Sequence, residues 1–338
     1  MQDELLKKIQ RITSEIPAIL VGSGASASLG ITSTGELHEY LISSVEIEND
    51  DESSLWDQFK QVSASNDLET SLTQVALTKT IENKVVRKTH EAIWTSEKEI
   101  LKKNLEGTQK LPLTRLYDYL FRSTQKTINV VTTNYDRLAE FSADFGGYAQ
   151  WTGFSYGHIK YWSEPGKLAI SNKGKQLRTV AIYKVHGSLD WFRDDVANLV
   201  SLSFPEAVPE SLQPVMVTPG LNKYENSFEE PFRSLIAESD KVLQRASAYL
   251  CVGYGFNDTH IQQKLVNGVY SKNKPILILA RTLSESTKAF VNDERCTDFI
   301  AIEKSNHGSK VYCPENKDGI LLENESLWDL DTLIKHIT

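Results

Sequence analysis

Short apolar runs alternate with segments of helical periodicity along most of this chain. Apolar residues recur at helical spacing through residues 5–16, which predicts an opening amphipathic helix that ends before Pro17. The continuous apolar run at residues 18–21 then leads directly into glycines. This pattern is typical of a fully buried parallel strand that enters a tight turn.

The same alternation continues after residue 112 and predicts a mostly parallel sheet. Apolar, β-branched runs predict strands at 128–132, 179–185, 215–218, 249–252, 276–279 and 299–302. Helical patterns occupy 33–44, 113–122, 135–143, 231–245, 260–269, 284–293 and 326–336. We therefore expect an α/β fold with helices on both faces of the sheet. In such folds, ligands bind beyond the carboxyl ends of the strands, where the strand order reverses.

Residues 45–111 differ in character from the rest of the chain. An acidic stretch, EIENDDE, is followed by long segments of helical periodicity with a single glycine, Gly107. We interpret the acidic stretch as a solvated loop and the whole segment as a helical insertion. The predicted α/β domain therefore comprises residues 1–44 and 112–338.

Composition argues against several classes of protein. The formal net charge of −8 disfavours a free-standing nucleic-acid binder, because phosphate neutralisation requires a basic surface. The first residues lack the apolar core of a signal peptide and no later run approaches membrane-spanning length, so we expect a cytoplasmic protein without a membrane partner. The three cysteines, Cys251, Cys296 and Cys313, form no C-x-x-C pair, so we expect neither a disulfide framework nor a bound metal.

The first candidate site is the turn that follows residues 18–21. Between the predicted strand and the next helix lie Gly22, Ser23, Gly24, Ala25 and Ser26. Glycines allow the backbone to approach a pyrophosphate closely, and free N–H groups at the start of a helix attract anions. A plain strand-to-helix turn is the alternative interpretation of the same pattern.

Polar residues also follow the strands predicted at 128–132 and 179–185. Thr133, Asn134 and Asp136 come after the first strand. Asn134 could hold a water or a ribose hydroxyl, and Asp136 could accept from a second hydroxyl or a carboxamide. Helix capping is the alternative role for both. His186 follows the second strand, where its imidazole could act as a general base or could simply be satisfied in a turn.

A fourth candidate site follows the strand predicted at 249–252. Gly253 and Gly255 could pass close to a nucleotide, and Asn257 or Asp258 could accept a hydrogen bond from a ribose. Capping of the next helix by Asp258 is the simpler alternative.

Four strand-end motifs thus occur in the order GSGAS, TTNYD, HGS and GYGFND. In this combination they resemble the Sir2 family, specifically its Sir2-like branch of NADases from bacterial anti-phage defence systems. The resemblance implies a Rossmann-like fold and a NAD⁺ site, with residues 22–26 at the pyrophosphate and residues 253–258 beside the adenosine ribose. It also implies that Asn134 and Asp136 lie near the nicotinamide ribose, that Thr133 belongs to the same cofactor site, and that Asn134 and His186 are catalytic, with His186 as the base.

The chain departs from the sirtuin pattern in two places. Thr32 replaces the proline of the sirtuin G-I-P-D-F-R segment, and the Asp-Phe-Arg that would follow is absent. Sirtuin deacetylases also carry a four-cysteine zinc module, whereas Cys251 is the only cysteine between His186 and Gly253. We therefore expect hydrolysis of NAD⁺ to nicotinamide and ADP-ribose. The alternatives are ADP-ribose transfer, sirtuin-type deacylation, and a non-enzymatic nucleotide-binding assembly module.

A free NADase would deplete the cofactor of its own cell, so we expect that the activity is restrained. We expect that formation of a homo-oligomer, or binding to a separately encoded partner such as an ATPase or a nucleic-acid-binding sensor, restrains the enzyme. The helical insertion at 45–111 is the expected assembly surface.

Overall fold

A computed structural model describes residues 2–163, 170–203, 208–217 and 229–338. The strands are, in chain order, β1 (Ala18–Val21), β2 (Thr127–Thr132), β3 (Ala149–Trp151), β4 (Ile159–Tyr161), β5 (Ser171–Asn172), β6 (Lys175–Gln176), β7 (Thr179–Lys184), β8 (Gly187–Arg193), β9 (Leu199–Leu202), β10 (Gln213–Met216), β11 (Tyr249–Val252), β12 (Ile276–Ala280), β13 (Phe299–Ser305), β14 (Gly308–Cys313) and β15 (Asn316–Glu323). The helices are α1 (Gln2–Ser14), α2 (Ser23–Ala27), α3 (Thr34–Ser44), α4 (Asp50–Ser63), α5 (Leu68–Gln74), α6 (Lys79–Leu105), α7 (Pro112–Leu120), α8 (Leu138–Phe145), α9 (Phe232–Arg245), α10 (Thr259–Val266, continued by a π-helical turn at Asn267–Ser271), α11 (Glu285–Asn292) and α12 (Leu330–Ile337).

The central sheet of the described chain has nine strands in the order β15-β14-β13-β12-β11-β1-β2-β7-β3. Pairing is parallel from β3 to β13, and β14 and β15 run antiparallel to their neighbours at one edge. The predicted mostly parallel sheet is thus confirmed. The chain leaves β1 for β2 on one side and returns through β11 on the other, so the strand order reverses at β1. The carboxyl ends of β1, β2, β7 and β11 therefore border the crevice where α/β folds bind ligands.

Helices cover both faces of this sheet, because successive residues of a strand point to opposite sides. Ile19 packs in a core with α1, α7, α8 and α12, whereas its neighbour Leu20 packs in a core with α9, α10 and α11. Both side chains are almost completely buried. A strand covered on both faces needs an apolar residue at every position, which explains the uninterrupted run in β1.

Some elements differ from the sequence prediction. The strand predicted at 215–218 overlaps β10, which ends at Met216, and Thr218 lies outside the described residues. β10 pairs antiparallel with β8 in a second sheet, of order β10-β8-β9-β4, and so does not extend the parallel sheet. The helix predicted at 135–143 begins only at Leu138, because residues 135–137 belong to the loop that follows β2. The hairpin of β14 and β15 has no counterpart among the predicted elements.

Residues 45–111 hold α4, α5 and α6. α4 and α5 share a core with α3 and the first half of α6, in which Trp56 and Phe59 are the large aromatic residues. The second half of α6 packs on the α/β domain, where Ile93 and Ile100 join a core with Leu138. α6 therefore contacts both the other helices of this segment and the strand-end crevice.

Candidate functional site

The four strand-end motifs converge on one cleft of about 430 Å³ at the carboxyl edge of the sheet. Ten of the thirteen predicted site residues line this cleft: Gly22, Ser23, Ser26, Thr133, Asn134, Asp136, His186, Gly255, Asn257 and Asp258. The other three, Gly24, Ala25 and Gly253, line an adjoining cavity of about 60 Å³ to which Ser26, Asn134 and Asp136 also contribute. The structure therefore brings Asn134 and His186 to the same cleft.

The turns after β1 and β11 lie directly against each other. The Gly24 N–H donates to the Gly253 carbonyl at 3.1 Å. Gly253 has a φ of +59°, and a Cβ at this position would overlap the backbone nitrogen of Ala25. A Cβ on Gly22 would lie only 2.5 Å from the Gly253 carbonyl oxygen. Glycine at both positions permits this approach, which joins the first and fourth motifs.

Asn134 connects the loop after β2 to the turn after β1. Its Nδ2 donates to the Gly22 carbonyl at 3.0 Å and to Ser26 Oγ at 2.9 Å, and its backbone N–H donates to Thr132 Oγ1 at 3.0 Å. The side chain is buried. Because these bonds use both amide hydrogens, they fix the orientation of Oδ1, which can only accept. Asn134 therefore does not cap α8.

Asp136 is held from two sides at the start of α8. Its Oδ1 accepts from the Leu138 N–H at 3.1 Å, whereas Arg137 holds the N-cap position of α8 and makes no side-chain capping bond. Its carbonyl accepts from Nζ of Lys184, a fully buried ammonium that lies 3.3 Å from Glu140 Oε1. Burial raises the pKa of Glu140 to about 7, although Lys184 opposes the shift. Asp136 is thus anchored by a buried pair beneath the cleft.

His186 forms a side-chain pair with Asp258, which lies 72 positions further along the chain. Nε2 of His186 is 3.0 Å from Oδ2 of Asp258, while Oδ1 accepts from the Ile261 N–H at 3.0 Å and caps α10. Beside an ionised carboxylate, which can only accept, a neutral imidazole carries its proton on Nε2 and keeps its lone pair on Nδ1. In this tautomer, Nδ1 is the ring atom that can accept a proton. The contact of Asp258 with an adenosine ribose stays a prediction.

The outer wall of the cleft comes from residues that the motifs do not include. Asp67 accepts from the Thr70 N–H at 2.7 Å and caps α5, so its pattern in the sequence indicates only a structural task. Of the residues in this wall, only Thr32 stands out in the sequence, because it replaces the proline of the sirtuin segment. These wall residues, from the loop before α3, from α3, from the start of α5 and from α6, are Thr32, Thr34, Leu37, Asp67, Glu69 and Ile93.

The cysteines lie outside this cleft. Cys251 and Cys296 are buried and Cys313 is half-buried, and burial raises the pKa of the Cys296 thiol to about 12. Within the described ranges, no group of three or more His, Cys, Asp or Glu side chains could hold a metal ion. In the same part of the chain, no helix has the length and apolarity needed to span a membrane.

Several solved structures are similar to this chain over nearly their whole length, whereas no curated protein sequence matches it. A Sir2 enzyme, described in a study of Sir2 mechanism and regulation, shares 13% identity with a TM-score of 0.48, and both chains are covered completely. A mutant Sir2 homologue in complex with ADP-ribose shares 16% identity with a TM-score of 0.49, over 100% of this chain and 96% of that chain. A Sir2 homologue in complex with NAD shares 15% identity with a TM-score of 0.45, over 100% and 94%.

The sequence itself matches one known family. The family is described as the SIR2-like domain, and the match covers residues 128–296, which is half of the chain. The matched segment carries three of the four motifs, from Asn134 through His186 to Asp258. The chain therefore belongs to the SIR2-like domain family.

Proposed function

We propose that this chain is a NAD⁺ glycohydrolase that cleaves NAD⁺ into nicotinamide and ADP-ribose. Membership of the SIR2-like family supports NAD⁺ as the substrate. The proposal rests on one observation: Asn134 and the His186–Asp258 pair line one cleft, beside the glycine turns that follow β1 and β11. The volume of this cleft, about 430 Å³, is within the usual range for a small-molecule site.

In this proposal, the turn at residues 22–26 borders the pyrophosphate, and Asn134 Oδ1 accepts from a hydroxyl of the nicotinamide ribose. Thr133 and Asp136 border the same ribose. Gly253, together with Gly255, Asn257 and the backbone of residue 258, borders the adenosine. Oriented binding is the main contribution that the site makes before bond cleavage.

The bond between C1′ and the nicotinamide nitrogen then breaks. Its electron pair neutralises the pyridinium ring, and C1′ becomes oxocarbenium-like. A water oxygen bonds to C1′ while Nδ1 of His186 takes the proton from that water. The Asp258 carboxylate stabilises the imidazolium that forms. The products are nicotinamide, ADP-ribose and a proton that His186 later releases to solvent.

Release of nicotinamide from NAD⁺ tests this proposal. We expect His186→Ala to lower turnover by about 10²- to 10⁴-fold, the range for loss of acid–base catalysis, with unchanged circular dichroism. We expect Asn134→Ala to lower turnover by about 10²-fold, because the ribose loses its orientation. His260→Ala is the matched control, because His260 also faces a carboxylate, Asp240 at 2.9 Å, but lies outside the cleft. Wild-type turnover in both site variants would refute the assignments.

The acceptor is tested with NAD⁺ labelled in its adenosine half. A hydrolase releases free labelled ADP-ribose, whereas a transferase leaves the label on a macromolecule. Deacylation of an acylated peptide without any hydrolysis of NAD⁺ alone would reject the glycohydrolase proposal in favour of a sirtuin-type deacylase.

We further propose that the activity serves anti-phage defence by depleting cytoplasmic NAD⁺. The motif resemblance and the toxicity of an unrestrained NADase support this role. A homo-oligomer or a separately encoded partner, such as an ATPase or a nucleic-acid-binding sensor, would restrain the enzyme. Size-exclusion chromatography with activity measured across the fractions tests the restraint, and full activity in a monomer fraction would contradict it.

A further inference from the structure

A buried ion pair joins α6 to the loop that carries Asn134. Glu97 of α6 is 1% exposed, and Arg137, at the end of that loop, is 5% exposed. Oε1 of Glu97 accepts from Nε of Arg137 at 3.0 Å and from Nη2 at 2.6 Å. Oε2 accepts from the backbone N–H of the same arginine. One carboxylate therefore holds both the main chain and the side chain of a residue three positions from Asn134.

The guanidinium of Arg137 is enclosed on its other sides as well. Nη1 donates to the Ser203 carbonyl at 2.6 Å. The planar group lies 4.8 Å from the ring centre of Trp94, another residue of α6, and 5.2 Å from that of Phe141. The position of this side chain is thus set by α6 and by α8 together.

α6 also contacts other segments around the cleft. Ser96 Oγ accepts from the Thr32 N–H at 3.2 Å, next to the turn after β1. Nε2 of His90 lies 2.8 Å from the Leu189 carbonyl on β8. The helix that supplies Glu97 is therefore hydrogen-bonded to segments that follow β1, β2 and β7. A shift of α6 would displace all three segments.

The loop that Glu97 holds has no regular secondary structure. Residues 133–137 lie between β2 and α8 and lack the ladder of backbone hydrogen bonds that fixes a strand or a helix. Their position depends on individual buried bonds, among them those of Glu97 with Arg137, of Lys184 with Asp136 and of Asn134 with the turn after β1. A misplacement of about 1 Å at a reacting group can cost about 10²-fold in rate.

We propose that Glu97 is a positioning residue for the reaction at Asn134, and that α6 thereby controls turnover. The inference rests on the proposed function. It concerns a residue that lies outside both the four motifs and the family match at 128–296. Glu97 touches neither the substrate nor the reacting atoms and acts only through Arg137.

Two variants separate positioning from folding. Glu97→Gln removes the carboxylate that forms the ion pair with the buried guanidinium of Arg137, so this variant is expected to lose both thermal stability and turnover. The double variant Glu97→Gln/Arg137→Met removes both charges, and neutral replacement of a buried pair commonly restores stability. We expect it to unfold near the wild-type temperature yet to keep a kcat about 10- to 100-fold below wild type, with a KM for NAD⁺ within about threefold. Glu99→Gln, at an exposed position of the same helix, is the matched control and should behave as wild type.

Hydrogen exchange of the backbone amides at 133–137 provides a readout that does not depend on turnover. We expect faster exchange there in the double variant than in the wild type or in Glu99→Gln. If the wild type releases no nicotinamide, the proposed function fails, whereas faster exchange would still support Glu97 as the anchor of this loop. Wild-type kcat in the stable double variant, or unchanged exchange at 133–137, would overturn the inference.

Discussion

Replacement of Asp258 by asparagine tests the orientation of His186 while keeping the helix cap. Two side-chain contacts of Asp258 are relevant to this change: Oδ1 accepts from the Ile261 N–H at 3.0 Å, and Oδ2 lies 3.0 Å from Nε2 of His186. Asparagine keeps the capping oxygen but presents an N–H to the imidazole. The ring must then accept at Nε2 and carry its proton on Nδ1, so Nδ1 loses the lone pair that the proposed base needs.

Because one contact is lost and the other is kept, activity should fall while stability should hardly change. We expect kcat to fall by about 10²- to 10⁴-fold, the usual contribution of a general base. KM should change little, because the turn at 22–26 is untouched. The free energy of unfolding should change by much less than the ~1 kcal/mol that loss of a cap costs, because asparagine and aspartate cap helices about equally well.

Steady-state release of nicotinamide and thermal unfolding measure the two effects separately. Asp240→Asn is the control, because Asp240 pairs with His260 at 2.9 Å outside the cleft. An Asp258→Asn protein that keeps wild-type kcat would refute the orientation argument. A loss of activity that parallels an equal loss of stability would instead assign Asp258 a purely structural role.

Three further changes test other parts of the site. Gly253→Ala should lower the free energy of unfolding by more than about 1 kcal/mol, because φ is +59° and the new Cβ would overlap Ala25; unchanged stability in urea would contradict this close approach. Ser26→Ala removes one acceptor of the Asn134 amide and should lower nicotinamide release by about tenfold at most, with no change arguing against that contact. Glu140→Gln should flatten the dependence of stability on pH. The pKa of Glu140 is raised from 4.5 to about 7, so folding favours the protonated carboxyl, and wild-type stability should fall as the pH rises through this window, by about 3 kcal/mol relative to the variant. If the difference in urea stability between wild type and variant is the same at pH 5 and at pH 7.5, that shift is contradicted.

The elements of the parallel sheet follow from local patterns. The uninterrupted apolar run of β1 predicts a strand covered on both faces, and the glycines that follow it predict a tight turn. The close approach of this turn to the backbone of Gly253 was found only in the structure. The polar residues at the strand ends, from Asn134 to His186, lie in one cleft because parallel strands share a carboxyl edge. These features depend on residue type and on spacing within a few positions, and both can be recognised in the sequence.

The contacts that orient those residues depend on packing between distant segments. Asp258 has an ordinary capping pattern, and only the packing of the β11 turn near the end of β7 turns its second oxygen toward His186. Glu97 sits in a helical segment without a motif, 40 residues before the arginine that it binds. β10 reads as another strand of the main sheet, yet it pairs with β8 in a separate sheet. Local periodicity determines which segments are strands and helices. Which residue a side chain contacts depends instead on how many distant segments pack together to bury their apolar surfaces.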